Sequence, residues 1–370
     1  MDIRLKMMLL KFAIYLVLML LMQWYAGDTV ADILSPPEER DFQREANGAV
    51  ARLKSEMPRL KNLQLSSAEI TVASCVQTPE SDTGFASIGG HETVKHELML
   101  HLVVPLRHPD IFFRKASLRP PTGVLFTGPP GTGKTCLARA VASECGMPFL
   151  NIKPSLIESK YFGDSEKIVK AVFTLAAKLM PCIVFIDEID SMLRSRSDHE
   201  QSHTYSIKTQ FLQEMDRIDK ENLHVVVIAA TNNPATLDQA LYRRLPRTYH
   251  IGNPDKEARL DILKMLTKEE QPPVPPQHLL DVVSATGAFS GSDLKDVYKA
   301  ASAMRNEVFS GLILRDSTIS CSPGPITPEH WAAAVAKAKQ SRRLTSARPA
   351  PPAPPAPPAP PAPPAPVRKP

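Results

Sequence analysis

The stretch Gly128-Pro129-Pro130-Gly131-Thr132-Gly133-Lys134-Thr135 constrains the fold more than any other part of the chain. It has the spacing GxxxxGK[ST]. Before it, Gly123-Val-Leu-Phe126 reads as a buried strand, and after it Cys136-Leu-Ala-Arg-Ala-Val-Ala-Ser143 reads as a helix. Strand, tight glycine loop and helix together turn backbone N–H groups toward an anion, and the helix N-terminus adds positive potential. Lys134 is placed to contact the β- and γ-phosphates of a nucleotide, and Thr135 to ligate Mg²⁺. Such a loop also occurs by chance in unrelated chains, so a second element is needed.

Ile183-Val-Phe-Ile186 supplies it. This apolar run ends in Asp187-Glu188, which puts two carboxylates at the C-terminal edge of a buried strand beside the loop. Asp187 suits Mg²⁺, directly or through a bound water, and Glu188 suits orienting and deprotonating an attacking water. Ordinary solvated strand-end acids are the alternative, and the phosphate loop outweighs it. A third run, His224-Val-Val-Val-Ile-Ala-Ala230, is followed by Thr231-Asn232. The Asn232 amide is suited to positioning the same water, although a lone Asn after a strand is by itself turn chemistry.

Continuous rather than alternating apolar runs predict an α/β fold, a parallel sheet covered by helices on both faces. Beyond Asn253-Pro254 the pattern is helical only, over 257–267, 278–283, 292–308 and 328–339, which predicts a small helical domain. Arg243-Arg244 is a basic pair that cannot easily reach its own chain's site if it sits on the far side of the sheet. Arginines supplied by a neighbouring chain stabilise phosphoryl-transfer charge; a solvated basic pair is the alternative.

Residues 7–25 are apolar except for Lys11 and Gln23. As a helix they span about 28 Å, close to the ~30 Å hydrocarbon thickness of a bilayer. Lys11 can snorkel, and Trp24 and Tyr25 suit the headgroup level. A cleaved signal peptide, with Thr29-Val-Ala31 as a weak site, would export a nucleotide-dependent protein away from ATP. A matrix-targeting segment would be Arg-rich and amphipathic. A retained single-span anchor is the preferred reading. Arg4, Lys6 and Lys11 precede the span while Asp28, Asp32 and Glu38 follow it, so the positive-inside rule puts the N-terminus on the side the nucleotide site needs. The outer mitochondrial membrane does not follow that rule in the same way, and the anchor is expected there, with the remainder in the cytosol.

After the anchor, Ala46, Val50, Leu53 and Met57 recur at helical steps and predict a helix over 43–57, despite Gly48. It reads as a linker holding the core off the membrane. The resulting division is 1–25 anchor, 26–84 linker, 85–252 large α/β unit, 253–344 small helical unit and 345–370 tail. With 370 residues and 43% hydrophobic content, two folded units are affordable. The net charge of +5 is spread along the chain, and no nucleic-acid partner is expected. Five scattered cysteines without CxxC or Cys/His ligand spacing read as reduced thiols. His199 and His203 share a helical spacing but lack a third ligand, and read as a polar face. Much of the excess of 36 prolines lies in Pro-Pro-Ala repeats over 349–366. These favour polyproline II, as a stiff spacer rather than an SH3 or WW ligand.

Taken together, these residues resemble the AAA ATPases over roughly 85–344. Ile88-Gly89-Gly90 is similar to that family's adenine-side turn, and Phe289-Ser-Gly291-Ser-Asp293-Leu to its second sensor region, with Gly291 near the nucleotide. The resemblance implies that Pro129, Pro130, Thr132 and Cys136 also line the ATP site, that Arg243 and Arg244 are arginine fingers, and that the chain forms a homo-hexamer. Lys160-Tyr161-Phe162-Gly163-Asp164-Ser165-Glu166 resembles the first pore loop of the meiotic clade, whose aromatics grip a threaded polypeptide, and 194–203 would fall at the second. Within the clade, the span, the short linker, Leu65-Ser66-Ser-Ala-Glu69 and Ile186-Asp-Glu-Ile-Asp-Ser191 resemble the Thorase-type membrane-anchored extractases of the outer mitochondrial membrane and peroxisomes. That resemblance implies tail-anchored membrane proteins as clients; microtubule severing of the katanin or spastin kind is the alternative. Tyr161 stands where Trp is usual, Asn233 where Arg is usual, and the proline tail is not a family feature.

Overall fold

The computed structural model describes residues 37–57, 64–79, 83–114, 118–157, 165–193, 202–315 and 324–346. The expected anchor at 1–25, the loop Tyr161-Phe162-Gly163, most of 194–203 and the proline tail lie outside them. Among the described residues, no helix is long and apolar enough to cross a membrane.

Six described strands form one sheet: β1 (Val76–Gln77), β2 (Gly123–Thr127), β3 (Phe149–Ile152), β4 (Cys182–Ile186), β5 (Val225–Thr231) and β6 (Arg247–His250), in the order β1-β3-β4-β5-β2-β6. All pairings are parallel except that of the short edge strand β1 with β3. Every residue of β2, β4 and β5 is buried, which is why these strands read as unbroken apolar runs. β6 gave no such signal because only Tyr249 of its four residues is buried.

Around the sheet run α1 (Pro37–Glu56), α2 (Ser67–Ala73), α3 (Glu92–Leu98), α4 (Lys134–Cys145), α5 (Ser165–Leu179), α6 (Ser202–Lys220), α7 (Gln239–Arg244) and α8 (Lys256–Leu266); α9 (Pro276–Ala285), α10 (Gly291–Arg315) and α11 (Pro328–Ser346) follow in sequence. Period-two alternation divides the strands between two cores. Leu125, Val184 and Val227 point to the side of α2, α5 and α6, while Phe126, Phe185 and Ile228 point to the side of α3 and α4. Aromatic pairs key both layers. Phe173 of α5 meets Phe211 of α6 edge-on at 5.5 Å, and Phe149 stacks on Phe185 at 5.7 Å. Such pairs add about 0.5–1.5 kcal/mol beyond their burial.

The 26–84 segment is more than a linker. Leu53 of α1 and Val72 and Ala73 of α2 belong to the sheet's own core. Ser66 caps α2 reciprocally: its hydroxyl accepts from Glu69 N, and its own N–H donates to Glu69 Oε2 at 2.7 Å. The same oxygen accepts from Lys178 Nζ of α5 at 2.7 Å. Burial raises the pKa of this carboxyl, but the hydrogen bonds from Lys178 and Ser66 prevail and hold it below the usual range. The apolar spacing revealed the helix but not the surface it would cover.

The chain divides into two compact units, one holding the described residues up to Lys268 together with Gly287–Lys295, the other holding Glu269–Thr286 and the remainder from Asp296. The boundary therefore differs from the expected break at 252/253. α8 and the first turn of α10 join the sheet unit because they pack on its nucleotide-side loops: a Cβ on Gly90 would collide with Ala258, and Ser292 N donates to Gly131 O at 3.1 Å. The second unit has its own core of Leu279, Val282, Val283, Ala301 and Trp331. Within it Tyr298 donates to Glu270 Oε1 at 2.6 Å and stacks on Trp331. Burial, and then the Glu270 carboxylate, push the Tyr298 phenol up to about 12.

Candidate functional site

Strand order brings the sequence motifs together. β5 lies between β4 and β2, with Thr231 opposite Thr127 and Ala229 opposite Ile186. The glycine loop after β2, the acids after β4 and Asn232 after β5 thus emerge side by side at the carboxyl edge of the sheet, where open α/β sheets bind ligands.

The loop leaves β2 at Gly128, whose φ of 143° and close approach to Ile251 O admit no Cβ. It ends at Gly133, the N-cap of α4, with a φ of 99°. Lys134, the first residue of α4, is 7% exposed. Its ammonium donates to Gly128 O at 2.9 Å, Pro129 O at 2.8 Å and Asn232 Oδ1 at 2.8 Å. These three bonds use its full donor capacity, so contact with a phosphate requires exchanging at least one of them. Burial lowers the Lys134 pKa, while Asp187, Asp190 and Glu188 pull it back up.

Thr135 donates to Asp187 Oδ2 at 2.9 Å. Two hard oxygens therefore meet at one point beside the loop, the arrangement that suits Mg²⁺, which takes one or two protein oxygens and completes its shell with phosphates and water. The other oxygen, Asp187 Oδ1, accepts from Glu188 N at 3.0 Å. Glu188 is exposed and takes a left-handed conformation, φ 47° and ψ 43°, at the start of the turn Ile189–Met192. A non-glycine residue held there costs of order 1–3 kcal/mol and is typical of functional positions.

On the opposite side of the loop, Thr132 donates to Pro129 O at 3.0 Å, and its carbonyl lies 3.2 Å from His91 Nε2. Lys95 Nζ bonds Ile88 O, which fixes the Ile88-Gly89 turn. Gly291 is brought to the loop as well: a Cβ on it would lie 3.5 Å from Gly131 O. Pro129, Pro130 and Cys136 are exposed on the loop and first helical turn.

Sequence reasoning missed three participants, His91, Thr231 and Asp190. His91 follows Gly90 and is fixed on Thr132 O; burial lowers its pKa. Thr231, fully buried, donates to Asp190 Oδ1 at 2.8 Å and accepts from Asn233 N at 3.0 Å, tying the acidic turn to the segment after β5. The sequence places all three next to recognised motifs, but no spacing announces the contacts.

Arg243 and Arg244 are not brought to the loop. A Cβ on Gly123, at the start of β2, would strike Arg244 O, so the pair sits at the strand end opposite Gly128. Arg244 donates to both oxygens of Asp216 on α6, at 2.9 and 3.0 Å, and this hydrogen bonding lowers the Asp216 pKa. Arg243 is exposed, and the two arginines border a cavity of about 510 Å³ that Phe113, Arg119, Asp219 and Asn222 also line.

Residues 124–253 match the family described as ATPase family associated with various cellular activities (AAA). The chain is 37% identical over 287 residues to the human outer mitochondrial transmembrane helix translocase, covering 76% of this chain and 79% of that protein. It is 35% identical over 298 residues to Xenopus tropicalis spastin, where the match covers 75% of this chain but 49% of the relative. Among solved structures, the crystal structure of the FIGL-1 AAA domain in complex with ADP superposes with a TM-score of 0.66 at 29% identity, over 77% of this chain and 97% of that one.

Proposed function

Because the chain belongs to the AAA ATPase family, and is thus an ATPase, we propose that it couples ATP hydrolysis to pulling helices of mislocalised, tail-anchored proteins out of the outer mitochondrial membrane. The observation that carries this reading is the 37% identity to an outer mitochondrial transmembrane helix translocase across 79% of that protein's length. The spastin match leaves about half of that relative uncovered, which favours translocation over severing.

In this reading residues 1–25 form the membrane anchor, the described part of the chain faces the cytosol, and six copies form a ring. The folded chain is divided into the anchor, a linker that docks on the core, the sheet unit, the helical unit and the tail. Lys134 leaves its loop carbonyls to neutralise the β- and γ-phosphates, and the backbone N–H groups of Gly131–Thr135 cradle them. Thr135 and Asp187 would hold Mg²⁺, which would supply positive charge to the phosphate oxygens. Asn232, released from Lys134, orients the attacking water. Glu188 accepts its proton. Arg243 reaches the triphosphate of the adjoining copy, since it stands at the far end of β2 from its own loop. Ile88 and Gly89 border the adenine, and Gly291 approaches from the second sensor region.

Reconstitution tests the function. The full chain in vesicles bearing a tail-anchored client is expected to release that client only with hydrolysable ATP; retention of the client under those conditions refutes extraction. Tyr161→Ala should impair release by about tenfold or more while changing basal ATPase less than about threefold, since it removes a gripping side chain and nothing at the phosphates. Equal release by this variant removes the pore-loop role of Tyr161-Phe162-Gly163. Arg243→Ala should lower turnover by about 10³-fold, the low end for such arginines. Mixing it with Glu188→Gln subunits should restore part of the rate, because each variant damages a different half of a shared site; absence of rescue removes the trans assignment.

A further inference from the structure

α7 carries both arginines and is only six residues long. A helix that short does not hold its direction by its own hydrogen bonds. Its neighbour α6 grips it at both ends. At the far end Asp216 takes Arg244 in the two-bond contact described above. At the near end Lys208 Nζ lies 2.9 Å from Asp238 Oδ2, with side chains 5% and 21% exposed. The other Asp238 oxygen caps α7 by accepting from Ala240 N at 2.8 Å. α6 itself is fixed, because Ile207, Phe211, Met215 and Ile218 are buried in the sheet's core. Lys208 and Asp216 lie about 12 Å apart along α6, enough to bracket α7, whose six residues span about 9 Å.

A buried ammonium is a poor way to gain stability. Its desolvation offsets most of the attraction to Asp238, and apolar replacement of such a pair is often neutral. The α7 cap needs only an acceptor oxygen, which Asn would supply. What the charge adds is direction, because it fixes the start of α7 to one turn of α6 while Asp216 fixes the end.

We propose that Lys208 is a positioning residue for hydrolysis: its ion pair with Asp238 sets the angle of α7 and so presents Arg243 to the neighbouring copy's triphosphate. The inference rests on the reading that Arg243 acts in trans.

The double variant Lys208→Met/Asp238→Asn, made in the full chain, removes both charges and keeps the cap. Turnover is expected to fall about tenfold, with binding of a fluorescent ATP analogue to its own site unchanged within about twofold. The melting temperature is expected to stay within a few degrees of the parent's. In mixed rings, subunits carrying the double variant together with Lys134→Met should depress hydrolysis by unmodified neighbours more than Lys134→Met subunits do alone. A double variant with full turnover, beside an inactive Arg243→Ala, overturns the proposal and leaves the trans reading intact. A fully active Arg243→Ala overturns the trans reading itself. Parallel loss of nucleotide binding, melting temperature and turnover would show Lys208 to be merely structural and overturn the proposal as well.

Discussion

Glu188→Gln is expected to lower ATP turnover by about 10²–10⁴-fold, the usual contribution of a general base, while nucleotide stays bound. The substitution keeps size, hydrogen-bonding length and backbone N–H. The bond from Glu188 N to Asp187 Oδ1 therefore survives, and with it the carboxylate suited to the metal. What disappears is the acceptor for the proton of the attacking water. Lys134, Thr135 and Asn232 are untouched, so affinity should change little, and assembled rings should hold both ATP and client. Single-turnover phosphate release together with nucleotide retention on a filter checks this. Unreduced release assigns the proton to another group and leaves the left-handed conformation of Glu188 without a catalytic reason.

Lys134→Met acts one step earlier, on binding. The parent should gain about 2.7 kcal/mol from ATP at 100 times its Kd. For a folded unit of about 150–250 residues, such as the one holding the site, that corresponds to a melting shift of about 5–10 °C. The variant is expected to show no shift at that concentration. Without nucleotide, Met fills similar space but leaves Gly128 O, Pro129 O and Asn232 Oδ1 without their shared donor. A modest destabilisation of about 1–3 kcal/mol is therefore expected as well. Differential scanning fluorimetry with and without Mg-ATP separates the two effects. An undiminished ATP-induced shift would show that Lys134 makes no contact with the phosphates.

The central strands, the phosphate loop and the acids after β4 were legible in the sequence because burial on both faces leaves unbroken apolar runs that end in polar residues. Asn232 was named only through its context, and strand adjacency then brought it to 2.8 Å from Lys134. Less legible were features that depend on what an element meets. β6 alternates exposed residues around Tyr249 and carries no run. The helix over 43–57 was visible from its spacing, but α2, on which it packs, docks through Glu69 meeting Lys178, a pairing 109 residues apart. The unit boundary moved because α8 packs under a glycine turn, a contact that helical periodicity cannot express. Arg244 reads as one of two equivalent arginines, yet Asp216 holds it and leaves Arg243 the exposed member.

On the proposed anchoring of residues 1–25, the docking of α1 and α2 against the sheet shortens the leash between motor and bilayer. Only 26–36 separates the proposed anchor from α1, at most about 40 Å of fully extended chain. On that reading, the standoff between the proposed ring and the lipid is set by a few residues that can be lengthened or cut. A client whose cytosolic domain is bulkier than that gap must be seized elsewhere on its chain or spared.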